Sequence, residues 1–293
     1  MPRALDQGMI DEIVGGYGAA ARRLHQAGID GVEVVASHGY LPAQFINPRV
    51  NRRTDGYNGD LEQRLRFLRE VIACVRANTD EQFIVGLRIS ADERDPEGLT
   101  EDESLLAVQA LQGELDYVHI VAGTSASLGG AVHIVPPMAI EAAYLAREAG
   151  TFKASLDIPL FVTGRINQPQ EAELILARGQ ADVCGMTRAL ICDPLMPTKT
   201  EHGQVEDVRA CIACNQACIG HFHRGLAISC IQHPETGREL QYGHLTPTPS
   251  PKRILVAGGG PAGMKAAAVA AARGHHVTLF EAGPQLGGQV LLA

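Results

Sequence analysis

The chain has 293 residues, of which 45% are hydrophobic and 20% charged, a composition that excludes disordered and fibrous proteins. Its net charge of −8 argues against broad electrostatic binding to nucleic acid or to anionic membranes. No apolar run reaches the roughly 18 residues of a membrane span, and the start, MPRALDQGMIDE, lacks the apolar region of a secretory signal. We therefore expect a cytoplasmic protein whose cysteines are ligands or core residues rather than disulfides.

Strand-like and helix-like segments alternate over the first two thirds of the chain. Short runs rich in β-branched residues predict five strands, at residues 32–37, 84–89, 117–122, 160–163 and 183–185. Apolar residues at helical spacing predict helices between most of them, with a capping box at Thr100 and Glu103 before one helix and Pro169 near the start of another. The alternation indicates an α/β fold with parallel strands. Because a (β/α)₈ barrel has eight such units, residues 1–205 are expected to be the C-terminal part of one, with about five units.

The last 50 or so residues have a different pattern. The stretch QYGHLTPTPSPK at residues 241–252 is typical of a linker, and RILVA then begins a new strand. Residues 253–293 are too few to close a core, so they are expected to be the start of a Rossmann-like domain. We therefore expect the chain to be a fragment of a longer protein, without the first barrel strands and without most of a dinucleotide domain.

Four cysteines follow the predicted barrel at a spacing typical of metal–sulfur sites. Cys211, Cys214, Cys218 and Cys230 are separated by 2, 3 and 11 residues. Three close cysteines and one distant one favour a [4Fe–4S] cluster held by four thiolates, in a segment over residues 206–240. A structural zinc site, which more often has two C-x-x-C pairs, and core thiols without a ligand role are the alternatives.

A glycine-rich turn follows the strand RILVA. Gly258, Gly260 and Gly263 stand between that strand and an alanine-rich helix, and Glu281 follows the next strand, 18 residues past Gly263. Glycines at this spacing allow the backbone to approach a pyrophosphate closely, and the acid suits a ribose hydroxyl. The order of strand, turn, helix and acid predicts nucleotide binding. The alternative is a turn that only lets helix and strand pack closely.

Polar residues follow the carboxyl ends of the predicted barrel strands, where active sites of this fold lie. His38 and Tyr40 follow the first strand, and His133 is placed in the long loop after the third. Both histidine and tyrosine are often half-buried without a catalytic role. A hydrogen-bonded His38–Tyr40 pair and a solvated His133 are therefore the structural alternatives.

Three arginines occupy similar positions. Arg88 lies inside an apolar strand and must meet an acid or an anion there, for which we favour a cofactor. Arg165, beside Gly164, and Arg188, beside Thr187, stand at strand ends and suit a phosphate. Surface salt bridges are the alternative for these two.

Several longer motifs resemble one family, the iron–sulfur flavoprotein branch of the old yellow enzymes. They are HGYLPAQFINPRVNRRTDGYNGDLEQRLRF at residues 38–67, then LRIS, TGRIN, MTRALICDP and CIACNQAC in the same order. The branch includes 2,4-dienoyl-CoA reductase, trimethylamine dehydrogenase and N-methylproline demethylase types. The resemblance implies a (β/α)₈ barrel that holds FMN, a [4Fe–4S] cluster, and a domain for FAD or ADP with NAD(P)H binding. The family's first barrel strands, which contribute flavin contacts, have no counterpart in this sequence.

The resemblance also implies roles for individual residues. By matching position, Arg88 would face the flavin N1–C2 oxygen, and the phosphate would be held by Gly164, Arg165, Thr187 and Arg188. In the second domain, Gly258, Gly260, Gly263 and Glu281 would bind the cofactor.

The catalytic residues match two different members of the family. Tyr40 and His133 match the proton-donating pair of the reductases, whereas His38 matches a substrate-side histidine of the amine dehydrogenases. Val35 stands where those dehydrogenases have a tyrosine, and the cysteine spacing is closer to that of dienoyl-CoA reductase.

Three functions therefore stay open. The favoured one is NAD(P)H-dependent reduction of an activated C=C bond; the alternatives are oxidative N-demethylation of a methylated amine and an inactive truncated fragment. The expected partner is a small-molecule substrate, with neither nucleic acid nor membrane, and a homo-oligomer is one open arrangement.

Overall fold

A computed structural model of the protein describes residues 3–292, which form two compact units that divide between Leu226 and Ala227. The boundary falls inside the segment 206–240 that is expected to carry the cysteines, and the expected linker 241–252 lies in the second unit. Among the described residues, every helix is too short or too polar to cross a membrane.

The first unit contains one five-stranded parallel sheet in the order β1–β2–β3–β4–β5. The strands are β1 (Gly31–Ala36), β2 (Ile84–Ser90), β3 (Tyr117–Val121), β4 (Leu160–Val162) and β5 (Val183–Cys184). All five were predicted, and their bounds differ from the predicted ones by a residue or so. Sequential parallel order is that of successive units in a (β/α)₈ barrel; in doubly wound sheets the order reverses.

Helices precede the first strand, connect the strands and follow the last one, and several of them begin at a residue whose side chain caps the helix. They are α1 (Gln7–Gln26), α2 (Leu41–Ile46), α3 (Leu61–Ala77), α4 (Glu101–Leu111), α5 (Leu128–Ile134), α6 (Ala146–Lys153), α7 (Pro169–Ala177), α8 (Thr187–Cys192), α9 (Met196–Glu201) and α10 (Ile219–Phe222). The predicted capping box is confirmed, because the Thr100 side chain accepts from the Glu103 N–H and the Glu103 carboxylate accepts from the Thr100 N–H. Pro169 is the first residue of α7, as predicted.

The predicted loop position of His133 was wrong. His133 lies in α5, one residue before the end of that helix. Gly129 and Gly130 made the segment resemble a loop, since glycine disfavours helix. The side chain of Ser127 accepts a hydrogen bond from the Gly130 N–H at 3.1 Å, and this cap stabilises the first turn.

The two faces of the sheet carry different chemistry, because successive side chains on a strand point to opposite faces. On β2, Leu87 and Ile89 belong to the buried apolar core, and Arg88 lies on the other face. The register places Arg88 beside His119 of β3. On that face a Cβ at Gly86 would lie 2.1 Å from the Cζ atom of Tyr117.

The second unit contains one β–α–β unit. Its elements are α11 (Glu239–Tyr242), β6 (Arg253–Ala257), α12 (Pro261–Ala272) and β7 (His276–Phe280), with β6 and β7 parallel. Gly258 has a φ of 102°, and a Cβ at Gly263 would lie 1.9 Å from the Gly258 carbonyl oxygen. Close packing of helix and turn therefore requires glycine at both positions.

We predict that Gly86→Ala destabilises the protein by about 1–3 kcal/mol, because the added methyl group overlaps the Tyr117 ring. The matched control is Gly16→Ala in α1, where nothing lies within 4 Å of the added methyl group. Replacing glycine inside a helix by alanine should stabilise by about 0.5–1 kcal/mol. Urea unfolding of both variants checks this, and a stabilising Gly86→Ala would contradict it.

Candidate active site

The carboxyl ends of β1 to β5 surround one cavity. Seven of the predicted site residues line it: His38, Arg88, His133, Gly164, Arg165, Thr187 and Arg188. Tyr40, the remaining predicted residue of this group, is not in the lining. The structure thus brings together residues that are up to 150 positions apart in the sequence, from His38 to Arg188.

The lining of this cavity is positively charged. It contains three arginines and two histidines, and none of its described residues is an aspartate or a glutamate. A cavity with guanidinium groups and no carboxylate is suited to an anion, and arginine matches phosphate oxygens in particular.

Arg165 and Arg188 are the two arginines at the ends of β4 and β5. Arg165 has a left-handed backbone with φ of 52°, and its buried Nε has no hydrogen-bond partner within residues 3–292. The Nη1 atom of Arg188 donates to the Pro136 carbonyl at 2.8 Å and to Asn215 Oδ1 at 2.7 Å. Burial, with a further contribution from the charge of Arg165, lowers the pKa of Arg188. An anion in the cavity would offset both the cost of burying Arg188 and the repulsion between its charge and that of Arg165.

Arg88 meets an acid on the neighbouring strand. Its Nε lies 2.5 Å from Glu33 Oε1, and Glu33 Oε2 lies 2.9 Å from the Nδ1 atom of His119. The Nε2 atom of His119 is 2.7 Å from Thr163 Oγ1. Residues of β1, β2 and β3 and the residue after β4 are therefore linked by one chain of polar contacts, and both of its ends, Arg88 and Thr163, line the cavity.

The Glu33 carboxylate is held in its charged form. Burial raises its pKa, but the hydrogen bond and charge of His119, the charge of Arg88 and the Tyr117 hydroxyl outweigh burial, so the pKa of Glu33 is lowered overall. Its negative charge fixes the guanidinium of Arg88 in position.

His38 has an unusual backbone that directs its ring to the cavity. Its φ is 59°, its N–H donates to Ser90 Oγ at 3.0 Å, and its carbonyl accepts from the N–H and the hydroxyl of Ser125, both at 2.9 Å. Such hydrogen bonds offset the cost of a left-handed conformation. Burial lowers the pKa of the His38 ring, which favours the neutral form at pH 7.

Tyr40 and His133 approach the site from different elements. The ring of Tyr40, 51% exposed, lies edge-on to the His38 ring at 6.2 Å between centroids. The Nδ1 atom of His133 is buried without a hydrogen-bond partner in the described residues, and burial together with the charge of Arg94 lowers its pKa. The described residues contain no hydrogen bond between Tyr40 and His133.

Three of the predicted cluster cysteines, Cys211, Cys214 and Cys218, lie in the first unit and are partly buried; Cys230 is in the second. Ala213 and Asn215, on either side of Cys214, have left-handed φ values of 55° and 57°. The N–H of Ala213 points to Cys211 Sγ at 3.4 Å. Within residues 3–292 no three histidine, cysteine or acidic side chains are arranged as a metal site.

In the second unit, Glu281 closes the glycine turn. Its Oε2 accepts from the Gly259 N–H at 2.6 Å and its Oε1 from the Gly283 N–H at 2.9 Å. These backbone donors lower the pKa of Glu281. Nothing lies within 4 Å of a Cβ built on Gly260, and a Cβ built on Gly288 would lie 3.1 Å from the Gly260 Cα, so Gly288 packs beside the start of α12.

Sequence reasoning missed Glu33, His119 and Asn215. Glu33 and His119 gave the same signal as Arg88, a polar residue on the inward face of an apolar strand, and could have been found by it. Asn215 gave no signal except its place among the cysteines.

Comparison with known proteins agrees with this architecture. Residues 1–207 match the NADH:flavin oxidoreductase / NADH oxidase family, and residues 256–291 match an NAD(P)-binding Rossmann-like domain.

Individual relatives match along almost the whole chain. A metal reductase of Desulforamulus reducens is 41% identical, covering 100% of this chain and 43% of the relative. The N,N-dimethylglycine/sarcosine dehydrogenase of Chromohalobacter salexigens is 38% identical, and the match covers 99% of this chain and 42% of that protein. The solved structure of 2-naphthoyl-CoA reductase with 2-naphthoyl-CoA has a TM-score of 0.92 at 33% identity, covering 99% of this chain and 44% of that one. The chain spans less than half the length of each of these relatives.

We predict that Glu33→Gln destabilises the protein at pH 7 by about 1–2 kcal/mol, because it leaves the charge of the partly exposed Arg88 without its partner. Since the folded-state pKa of Glu33 is lowered, its contribution is present above the unfolded pKa of about 4.3 and is lost as the pH falls through the folded pKa. The difference from wild type should therefore shrink below about pH 5.

Urea unfolding between neutral and acidic pH measures this difference, with the exposed Glu12→Gln on α1 as control. A Glu33→Gln difference that stays constant down to the acid limit of folding would contradict the assigned ion pair.

Proposed function

The chain belongs to the NADH:flavin oxidoreductase / NADH oxidase family, and from that premise we propose that it supplies the flavin site of an FMN- and [4Fe–4S]-dependent oxidoreductase. The proposed reaction is the NAD(P)H-dependent reduction of an activated C=C bond, such as that of a 2,4-dienoyl-CoA. The observation that carries this proposal is the cavity at the strand ends, with three arginines and no carboxylate. The phosphate of FMN matches that charge.

The residues of the cavity fit FMN by their chemistry. Gly164, Arg165, Thr187 and Arg188 are the proposed phosphate site, and the unpartnered, buried Nε of Arg165 is a donor in need of an acceptor. Arg88 is proposed to compensate negative charge on the reduced flavin. When bound, FMN supplies the hydride chemistry that side chains lack.

Proton transfer is proposed to fall to Tyr40. Its exposed phenol can reach a substrate that enters from solvent and give a proton to the alkene carbon beside the one that receives hydride. Neutral rings of His38 and His133 can each donate and accept a hydrogen bond. His133 is proposed to polarise the phenol in the substrate complex, since catalytic hydrogen bonds often form only when substrate is bound.

The four cysteines Cys211, Cys214, Cys218 and Cys230 are the proposed ligands of a [4Fe–4S] cluster. The N–H that points to Cys211 Sγ at 3.4 Å is of the kind that tunes sulfur in such clusters. A cluster carries electrons one at a time between two-electron cofactors. Zinc is the alternative metal.

The second unit is proposed to bind FAD or ADP. Gly258, Gly260 and Gly263 would face the pyrophosphate at the start of α12, with Glu281 toward the ribose. NAD(P)H is the proposed electron donor, and the proposed location is the cytoplasm.

A second candidate is the oxidation of a methylated amine. The substrate would give hydride to FMN and become an iminium ion, which water hydrolyses to formaldehyde and the demethylated amine. His38 beside Tyr40 and the similarity to a dehydrogenase of N,N-dimethylglycine and sarcosine favour it.

We predict that Arg165→Met weakens FMN binding about 10- to 100-fold, because charged hydrogen bonds contribute about 1.5–3 kcal/mol each. Affinity for riboflavin, which lacks the phosphate, should stay within about twofold of wild type, since only phosphate contacts are lost. Flavin fluorescence titration of the apoprotein measures both, with the exposed Arg178→Met as control. Equal losses for FMN and riboflavin would contradict a phosphate role.

Steady-state assays separate the two reactions. With the purified holoenzyme and NADPH, a dienoyl-CoA thioester should be consumed, and Tyr40→Phe should slow that turnover by about 100-fold or more, the usual contribution of a general acid. Formaldehyde release from secondary or tertiary methylamines, without any alkene reduction, would instead establish the second candidate.

A further inference from the structure

The side chain of Asn215, in the cysteine segment of residues 211–218, hydrogen-bonds to residues that line the anion cavity. Its Oδ1 accepts from Arg188 Nη1 at 2.7 Å, and its Nδ2 donates to the Val135 carbonyl at 2.8 Å. Both Arg188 and Val135 line the cavity. The amide of Asn215 thus links the wall that carries His133 to one of the proposed phosphate residues.

These contacts fix the orientation of Arg188. The two hydrogens of Nη1 go to Asn215 and to the Pro136 carbonyl, at 2.7 and 2.8 Å. Guanidinium has five N–H donors in a rigid plane, so holding one end of the plane directs the other three donors. Both acceptors are neutral, and they orient the charge of Arg188 without cancelling it.

A second contact ties the other end of the same helix to the cysteine segment. Asp193, just past the end of α8, accepts from the Arg209 N–H at 2.9 Å, two residues before Cys211. The carboxylate is buried, and Lys199 Nζ lies 2.6 Å from it. The cysteine segment is therefore attached to Arg188 in the first turn of α8 through Asn215, and the chain just before the segment is attached to Asp193 through Arg209.

From this geometry we propose that Asn215 is a positioning residue that couples the cysteine segment to the FMN phosphate site. The proposal rests on the proposed function above. When the cysteines are held by a cluster, Asn215 is held against Arg188; when they are released, Arg188 loses its orientation and the phosphate is bound less tightly. By linkage, bound FMN stabilises the cysteine segment by the same factor.

The test is a double-mutant cycle on FMN affinity. Asn215→Gly removes the amide and keeps a residue that tolerates left-handed φ, and Cys214→Ser prevents cluster formation. Gln216→Gly is the matched control, since Gln216 is the neighbouring residue, is exposed and also carries an amide. Dissociation constants for FMN and riboflavin are measured on each variant, with iron content determined in parallel.

We expect Asn215→Gly and Cys214→Ser each to weaken FMN binding roughly tenfold, the effect of one charged hydrogen bond, and the double variant to lose no more than either single one. Riboflavin affinity in each variant, and FMN affinity in the Gln216→Gly control, should match wild type. Losses that multiply to roughly 100-fold in the double variant, or an Asn215→Gly protein with wild-type FMN affinity, would overturn the coupling. A wild-type protein that binds no FMN, or that contains no iron after anaerobic purification, would overturn the proposed function, whereas wild-type FMN affinity in Asn215→Gly would overturn the coupling alone.

Discussion

Buried positive charge without a neighbouring carboxylate is costly, and the site depends on how the fold maintains it. Arg165 and Arg188 lie close enough that the charge of one helps to lower the pKa of the other, yet no described acid lines their cavity. The acid that the sheet does provide, Glu33, is paired with Arg88 instead. Carbonyl groups and the amide of Asn215 orient Arg188, and these neutral acceptors leave its charge available to an anion.

The backbone at the strand ends contributes as much as the side chains. His38 follows β1 and Arg165 follows β4, and both have left-handed φ values, of 59° and 52°. Neither is a glycine, so the conformation stores strain that surrounding hydrogen bonds must offset. Ser90 and Ser125 hold His38, and the Arg165 carbonyl accepts from the Ala143 N–H at 3.0 Å. With this backbone conformation, both side chains line the cavity. The resemblance to flavoproteins predicts them at that place.

Local patterns in the sequence predicted the strands, their parallel order and the capping box at Thr100, because each depends on residues close together in the chain. The helical position of His133 was missed because the Ser127 cap outweighs two glycines. Glu33 could have been found as a polar residue on an apolar strand, but its pairing with Arg88, 55 residues away, and that of Asn215 with Arg188, 27 residues away, could not be read from the sequence. Such pairs form only when the sheet and its loops are assembled, so their residue types alone do not identify them.

The central claim is that Arg165 and Arg188 enclose a phosphate, and ³¹P NMR of the FMN complex tests it most directly. A free phosphate monoester titrates near pH 6, with a pKa of about 6. Enclosed between two guanidinium groups it should stay dianionic, so the bound resonance should be displaced from that of free FMN and constant from about pH 5 to 8. A bound resonance that titrates with the free pKa would place the phosphate in solvent and contradict the account.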